Sequence, residues 1–142
     1  MKTWLIDTGP LVALLVRIDS WHRWVVETSK QCPATVLTCE AVISEALFLL
    51  KRAGHPTDGL FALVDRGFLR SDFDFHEEYR HVRDLMRRYR DRPMAFADAC
   101  LVRMAERRPE ASIWTLDSDF RFYRKNRQQT LSLVMPEGEA GD

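Results

Sequence analysis

Four acidic residues of this chain occupy positions where a folded domain normally places apolar side chains. Asp7 and Asp117 each directly follow a short hydrophobic run, whereas Glu45 and Asp98 fall within the apolar stripes of two predicted helices. Burying a carboxylate without a counter-charge costs on the order of several kcal/mol. The four acids therefore call for a shared counter-charge, and a divalent metal ion would supply it most simply.

The two predicted helices surround their acidic residue with apolar neighbours. Residues three and four positions apart share one face of a helix. For Glu45 these neighbours include Val42 and Leu49, and for Asp98 they include Leu101. Aspartate is also a poor residue for a helix interior, so stability alone does not explain either position.

Asp7 and Asp117 lie in a compatible setting, at the carboxyl ends of two predicted buried strands. Ligands of open α/β sheets bind in the crevice outside these strand ends. Carboxylate oxygens are hard ligands that favour Mg²⁺ or Mn²⁺ over zinc. The chemistry indicated is metal-assisted phosphodiester hydrolysis, in which the metal lowers the pKa of a bound water and stabilises charge on the phosphorus and the leaving oxygen.

Each acid also has a purely structural interpretation. Asp7, Asp98, Asp117 and the nearby Asp119 could cap helices, and Glu45 could be a partly exposed helix residue. Taken singly these interpretations are reasonable. Together they require four acids to occupy such positions for unrelated reasons, and a common site is the simpler explanation.

Short apolar strands alternate with helices along the whole chain. The predicted strands cover residues 2–6, 34–38, 68–73, 113–116 and 131–134. The predicted helices cover residues 11–17, 21–32, 40–52, 57–66, 76–90, 95–107 and 118–125. This alternation is typical of an α/β domain with a mostly parallel sheet. We expect a single domain over residues 1–135 and a disordered acidic tail over residues 136–142.

Composition limits the class of protein further. Of the 142 residues 46% are hydrophobic and the net charge is zero, but basic residues outnumber acidic ones between Arg80 and Arg127, which suits a locally anionic partner. The three cysteines are too few and too widely spaced for a disulfide framework. Asp7 interrupts the N-terminal apolar run too early for a signal peptide, and no run approaches the roughly 18 apolar residues of a membrane span. We expect a cytoplasmic protein with no membrane partner.

The four acids lie in four short segments of characteristic sequence. These are LIDTGPLVALL at 5–15, SEA at 44–46, ADA at 97–99 and TLDSDF at 115–120. In their order and spacing they resemble the four motifs of PIN-domain ribonucleases, and most closely those of VapC-type toxins of bacterial and archaeal toxin–antitoxin pairs. The resemblance runs from Trp4 to about Val134. It implies a three-layer α/β/α sandwich with a central, mostly parallel five-stranded sheet.

The resemblance also implies an activity and a set of site residues. It implies a Mg²⁺- or Mn²⁺-dependent endoribonuclease, with tRNA or a structured rRNA loop as the expected substrate. A cognate antitoxin protein and a second copy of the chain are the expected partners. By position, Asp7, Glu45 and Asp98 match the three most regular metal-site acids and Asp117 matches the fourth. Asp119 could assist or replace Asp117.

Several further residues are candidates for substrate contact. Thr8 and Thr115 match hydroxyl-bearing positions beside the acids of the family. Arg121, Arg124 and Lys125 directly follow the fourth acid, and we expect them to contact RNA. A second basic stripe, Arg83, Arg87 and Arg90, has helical spacing and could track an RNA backbone, or could form a solvated face with ion pairs such as Asp84 with Arg88.

The main alternative is a non-catalytic module of the same fold that binds RNA or a protein. Other α/β phosphoesterases are less consistent with the chain, because the residue two positions after Asp7 is Gly9 rather than a second aspartate. The sequence also has neither a GxGxxG fingerprint nor a P-loop.

Overall fold

The computed structural model describes residues 2–137, so residues 138–142 of the predicted acidic tail lie outside the described part of the chain. The strands are β1 (Thr3–Ile6), β2 (Val36–Thr38), β3 (Leu69–Ser71), β4 (Ala111–Trp114), β5 (Arg124–Lys125), β6 (Gln129–Thr130) and β7 (Ser132–Val134). The helices are α1 (Thr8–Leu15), α2 (His22–Ser29), α3 (Glu40–Arg52), α4 (Asp58–Asp65), α5 (Phe75–Arg88) and α6 (Phe96–Arg107), with a 3-10 helix at Ser118–Arg121.

Five of the strands form one parallel sheet in the order β3-β2-β1-β4-β7. Strand β1 lies at its centre, where Leu5 is in register with Leu37 of β2 and with Ile113 of β4. Parallel strands require helical crossovers, and these helices cover both faces of the sheet. The predicted α/β/α fold with a five-stranded parallel sheet is therefore confirmed.

The central strands and α6 form the core. Leu5, Ile6, Ile113 and Trp114 are fully buried, as expected for parallel strands that are covered on both faces. Helix α6 is buried along most of its length and packs against α5, β1 and β4. This packing holds the first turn of α6 rigidly beside the carboxyl ends of the central strands. Among residues 2–137, no helix is long and apolar enough to cross a membrane.

The region after the fourth motif differs from the predicted helix over residues 118–125. Only Ser118–Arg121 is helical, as a single 3-10 turn, and β5 then pairs antiparallel with β6. Asn126, Arg127 and Gln128 connect these two strands, since Lys125 is in register with Gln129, and the first two have positive φ values of 49° and 72°. Left-handed residues let the chain reverse within such a short loop, and asparagine tolerates that conformation better than most residues.

A buried ion pair joins α5 to α6. Glu78 is 5% exposed, and its carboxylate accepts a 2.7 Å hydrogen bond from Nε of Arg103 and a second bond from Arg107. Burial alone would raise the pKa of Glu78, but the two arginines hold that pKa below its ordinary value. The pair therefore links the long polar helix to the helix that carries Asp98.

Replacing Glu78 with Ala should lower the free energy of unfolding by about 2 kcal/mol, because it removes the partner of Arg107 and leaves the largely buried Arg103 with only the carboxylate of Glu106. Urea denaturation at neutral pH measures the change. Glu77→Ala is the matched control, since Glu77 is exposed on the same helix, and its effect should be about 0.5 kcal/mol or less. The lowered pKa of Glu78 also predicts a pH dependence. The difference in the free energy of unfolding between the wild type and Glu78→Ala should shrink as the pH falls, because Glu78 of the wild type becomes protonated. Equal stability of the two variants would contradict this role.

Candidate active site

The structure brings the four predicted acids to one cleft at the carboxyl edge of the sheet. Asp7 follows β1, Glu45 lies in the middle of α3, Asp98 lies in the first turn of α6, and Asp117 follows β4. Their cleft has a volume of about 870 Å³, which is within the range of small-molecule binding sites. The remaining lining residues are Thr8, Gly9, Ser44, Phe48, Leu49, Pro93, Ala95 and Leu116.

Asp7 is the most tightly held of the four acids. It is 7% exposed, and each of its oxygens accepts a hydrogen bond: Oδ1 from the amide of Thr8 at 2.8 Å and Oδ2 from the hydroxyl of Thr115 at 2.7 Å. Burial raises the pKa of Asp7 to about 6, although both hydrogen bonds act in the opposite direction. The negative charges of Asp117 and Glu45 raise this pKa further, so the acids of the cleft interact electrostatically.

Two threonines connect the carboxylates to one another. Thr8 donates its amide to Asp7 and its hydroxyl to Oε1 of Glu45, the latter at 2.7 Å. Thr115 donates its hydroxyl to Asp7 and accepts a 3.0 Å bond from the amide of Asp117. Thr8 and Thr115 therefore orient the carboxylates of Asp7 and Glu45 and tie that of Asp7 to the backbone of Asp117.

Asp98 is held at the start of α6. It is 8% exposed, and its Oδ2 accepts 3.2 Å hydrogen bonds from the amide of Ala95 and from the hydroxyl of Tyr123. Burial raises the pKa of Asp98 to about 7, and the charge of Asp7 adds to this shift. Tyr123 was not among the predicted site residues. Its signal in the sequence is weak, because a buried tyrosine hydroxyl needs a partner but the sequence does not show which one.

Asp117 and Asp119 lie on the 3-10 turn after β4. Asp117 accepts a 2.9 Å bond from the amide of Asp119 through Oδ1, and burial raises its pKa, as does the charge of Asp119. Asp117 lines the cleft, whereas Asp119 does not. Asp119 therefore acts on the site through its charge, and its direct binding of a metal stays a prediction.

The capping interpretation holds for part of the cluster. Asp7, Asp98 and Asp117 each accept a backbone amide at the start of a helical segment. Capping explains a carboxylate at a helix N-terminus, but it does not explain why all these termini open into one cleft. Glu45 lies in the middle of α3 and caps nothing. It is exposed, so the prediction that it faces the core is wrong and its interpretation as an exposed helix residue holds.

The donor set of the cleft fits a hard divalent cation. The acids supply only oxygen ligands. Burial is the main cause of the raised pKa values of Asp7 and Asp98, and the charges of neighbouring carboxylates add to it. Among residues 2–137, no three acidic, histidine or cysteine side chains are gathered closely enough to enclose an ion. Mg²⁺ does not need such an enclosure, because it commonly binds one or two carboxylates and completes its shell with water and substrate oxygens.

The basic residues after the fourth acid occupy different environments. Lys125 is buried, and its Nζ donates to the carbonyl of Pro109 at 2.9 Å. The guanidinium of Arg124 donates to the carbonyl of Arg121 at 2.7 Å and to those of the next two residues. Arg121 is exposed. None of the three lines the cleft, and RNA contact by them stays a prediction.

Comparison with known proteins places this geometry in a family. The family model described as PIN domain matches residues 4–126. No curated protein matches the sequence significantly. Among solved structures, the chain resembles VapC20 of Mycobacterium tuberculosis, described as a sarcin–ricin loop cleaving toxin, with a TM-score of 0.71 and 21% sequence identity over 82% of this chain and 92% of that one. The fold thus agrees with the family match, and the chain belongs to the PIN-domain family.

Proposed function

We propose that the protein is a Mg²⁺- or Mn²⁺-dependent endoribonuclease and the toxin of a toxin–antitoxin pair. The observation that supports this most strongly is the meeting of Asp7, Glu45, Asp98 and Asp117 in one cleft of a PIN domain. The similarity of the fold to a VapC toxin described as cleaving the sarcin–ricin loop supports RNA as the substrate. A structured rRNA loop or a tRNA is the substrate we expect.

The carboxylates and the two threonines each have a role in this proposal. The ion would be held by carboxylates of this group of four, with Asp119 as the alternative to Asp117. When bound, it would supply a lower pKa for a water in the cleft and a positive charge for the phosphate of the substrate. Thr8 and Thr115 hold the carboxylates in their orientation through the hydrogen bonds they donate. In the proposed hydrolysis a water would lose a proton and attack phosphorus, the bond from phosphorus to the 3′ oxygen would break, and this oxygen would take up a proton, leaving 5′-phosphate and 3′-hydroxyl ends.

The proposed partners follow from the same assignment. An antitoxin protein would cover the acidic cleft and keep the RNA out of it. Two copies of the chain would associate as a homodimer. We place the active protein in the cytoplasm, where its RNA substrates are found.

The decisive experiment is cleavage of total tRNA and of ribosomal RNA by the purified chain, freed of any antitoxin, with Mg²⁺ or Mn²⁺. We expect cleavage that is lost in EDTA and in the Asp7→Asn variant. The matched control is Asp65→Asn, because Asp65 is exposed on α4, and it should cleave at the wild-type rate. Cleavage that persists in EDTA would contradict the metal-dependent chemistry. RNA that is bound but left intact with both metals would favour the alternative, a non-catalytic PIN-fold module that binds RNA or protein.

A further inference from the structure

A second groove lies beside the acidic cleft, between one face of α5 and the start of α6. Three aromatic rings line it, those of Phe75, Tyr79 and Phe96, which are 49%, 37% and 43% exposed. We call it the aromatic groove. Adjacent large apolar side chains at the surface of a small domain commonly mark a binding site.

The rings of the aromatic groove contact one another. The ring of Phe75 meets that of Phe96 edge-on, with centroids 5.4 Å apart, and its centroid is 6.2 Å from that of Tyr79. The rings therefore form one continuous surface that spans both helices. A flat ring face that is already fixed in place can stack against a nucleic-acid base at little entropic cost.

Arginines form the rest of the groove's polar lining. Arg83, Arg87 and Arg90 all line it, and its lining contains no acidic residue. Arg83 pairs with Asp84 at 3.3 Å in an exposed contact, so the predicted pairing of Asp84 with Arg88 is not the one observed. In the described part of the chain, Arg87 and Arg90 have no ion pair within 4.0 Å. The groove thus presents cations that an anionic partner would neutralise.

Two consecutive residues line the acidic cleft and the aromatic groove. Phe96 lines the groove, and the preceding residue, Ala95, lines the cleft. Consecutive Cα atoms are about 3.8 Å apart, so the backbone that carries Phe96 lies next to the wall of the cleft. Asp98 lies only two residues further along the same helix.

We propose that the aromatic groove binds unpaired nucleotides next to the scissile phosphate, with bases stacked on the rings and phosphates contacted by Arg87 and Arg90. This rests on the proposed nuclease function and narrows its substrate to RNA with a single-stranded segment, since bases inside a duplex have no free face. A second copy of the chain fits the groove less well, because a symmetric contact would bring two sets of three arginines together at a cost in repulsion.

The test is binding of labelled RNA measured by fluorescence anisotropy, in the Asp98→Asn background with Mg²⁺ present so that RNA is not consumed. The probes are a single-stranded RNA of about ten nucleotides, a length within the usual site sizes, and the same sequence as a duplex. The groove variants are Tyr79→Ala and Arg87→Ala. Their controls are Phe61→Ala on α4 and Arg66→Ala directly after α4, both exposed and outside the groove.

We expect Tyr79→Ala to weaken binding of the single strand about tenfold, the loss of one stacked base, and to leave binding of the duplex unchanged. Arg87→Ala should reduce the slope of log K against log salt by about 0.7, as for one phosphate contact on a single strand. The two controls should bind both probes within about twofold of their parent.

Two results would overturn the inference. If the parent binds the single strand and the groove variants bind it equally well, the aromatic groove is not an RNA site, although the nuclease proposal stands. If Tyr79→Ala loses binding only together with a change from dimer to monomer in light scattering, the groove is a contact between copies. Failure of the nuclease proposal would instead appear as intact RNA in the wild-type cleavage assay, which does not depend on this groove.

Discussion

Replacing Asp98 with Asn should abolish RNA cleavage and leave the protein at least as stable as the wild type. Asp98 is buried beside Asp7, and its pKa is raised to about 7, mainly by burial and then by the charge of Asp7. At neutral pH and without a cation, ionisation of the Asp98 carboxyl in its buried position lowers the stability of the folded protein. An amide removes that cost, and its oxygen can still accept the bonds from Ala95 and Tyr123. We expect an increase of about 1–3 kcal/mol in the free energy of unfolding in EDTA.

The rate of cleavage should move in the opposite direction, by a loss on the order of 10³-fold, which is typical when a group that stabilises the transition state is removed. Single-turnover cleavage and urea denaturation of the same preparation measure the two effects. Asp65→Asn makes the same chemical change at an exposed position of α4 and should alter neither. If Asp98→Asn fails to fold, or loses more than about 1 kcal/mol, Asp98 is a structural capping residue and the assignment of the site is wrong.

The positions of the acids could be predicted from two patterns in the sequence: short apolar runs typical of buried strands, and apolar residues at helical spacing. Strands β1 and β4 end in buried apolar residues, Trp4 to Ile6 and Ile113 to Trp114, as is typical of parallel strands covered on both faces. The acid that follows each of them therefore lies at the carboxyl edge of the sheet. Glu45 and Asp98 were noticeable because they broke helical apolar stripes. The bounds of α3 were also predicted correctly, since Gly54 ends its apolar pattern.

The contacts around the acids were not predictable, because they depend on how distant segments pack. The hydrogen bond from Tyr123 to Asp98 joins residues that are 25 positions apart. This bond forms because the 3-10 helix ends at Arg121, whereas the sequence predicts a helix that continues to Lys125. The buried amine of Lys125 follows from the same change of direction, because the side chain is then directed at the carbonyl of Pro109.

The aromatic groove could not be predicted from the sequence either, because it also depends on how distant segments pack. In the sequence, Phe75 and Tyr79 belong to a helix that is otherwise polar and rich in arginine, and its basic stripe is equally typical of a solvated face. Phe96 lies in the next helix, just before the third motif. Only the packing of α5 against α6 brings the rings of Phe75 and Phe96 to within 5.4 Å.

In EDTA, the stability of the protein should fall as the pH rises from about 5 to about 8, and Mg²⁺ should reverse that fall. The ordinary pKa of an aspartate is 3.8, whereas burial raises that of Asp7 to about 6 and that of Asp98 to about 7. Between these limits the folded state binds more protons than the unfolded state, so stability decreases with rising pH. The two carboxyls interact and share the effect, and we expect a total loss of about 2 kcal/mol.

Mg²⁺ acts on the same groups with the opposite sign. A cation that binds only the folded state adds about 2.7 kcal/mol at 100 times its dissociation constant, and it binds the ionised carboxylates, so its contribution grows over the same pH range. Thermal melts from pH 5 to pH 8, with Mg²⁺ or with EDTA, measure both effects. Asp98→Asn should show a shallower dependence on pH and a smaller Mg²⁺ shift than the wild type, whereas Asp65→Asn should match the wild type. An equal Mg²⁺ shift in Asp98→Asn and in the wild type would place the ion elsewhere on the protein, because an ion held by Asp98 cannot stabilise the variant as strongly.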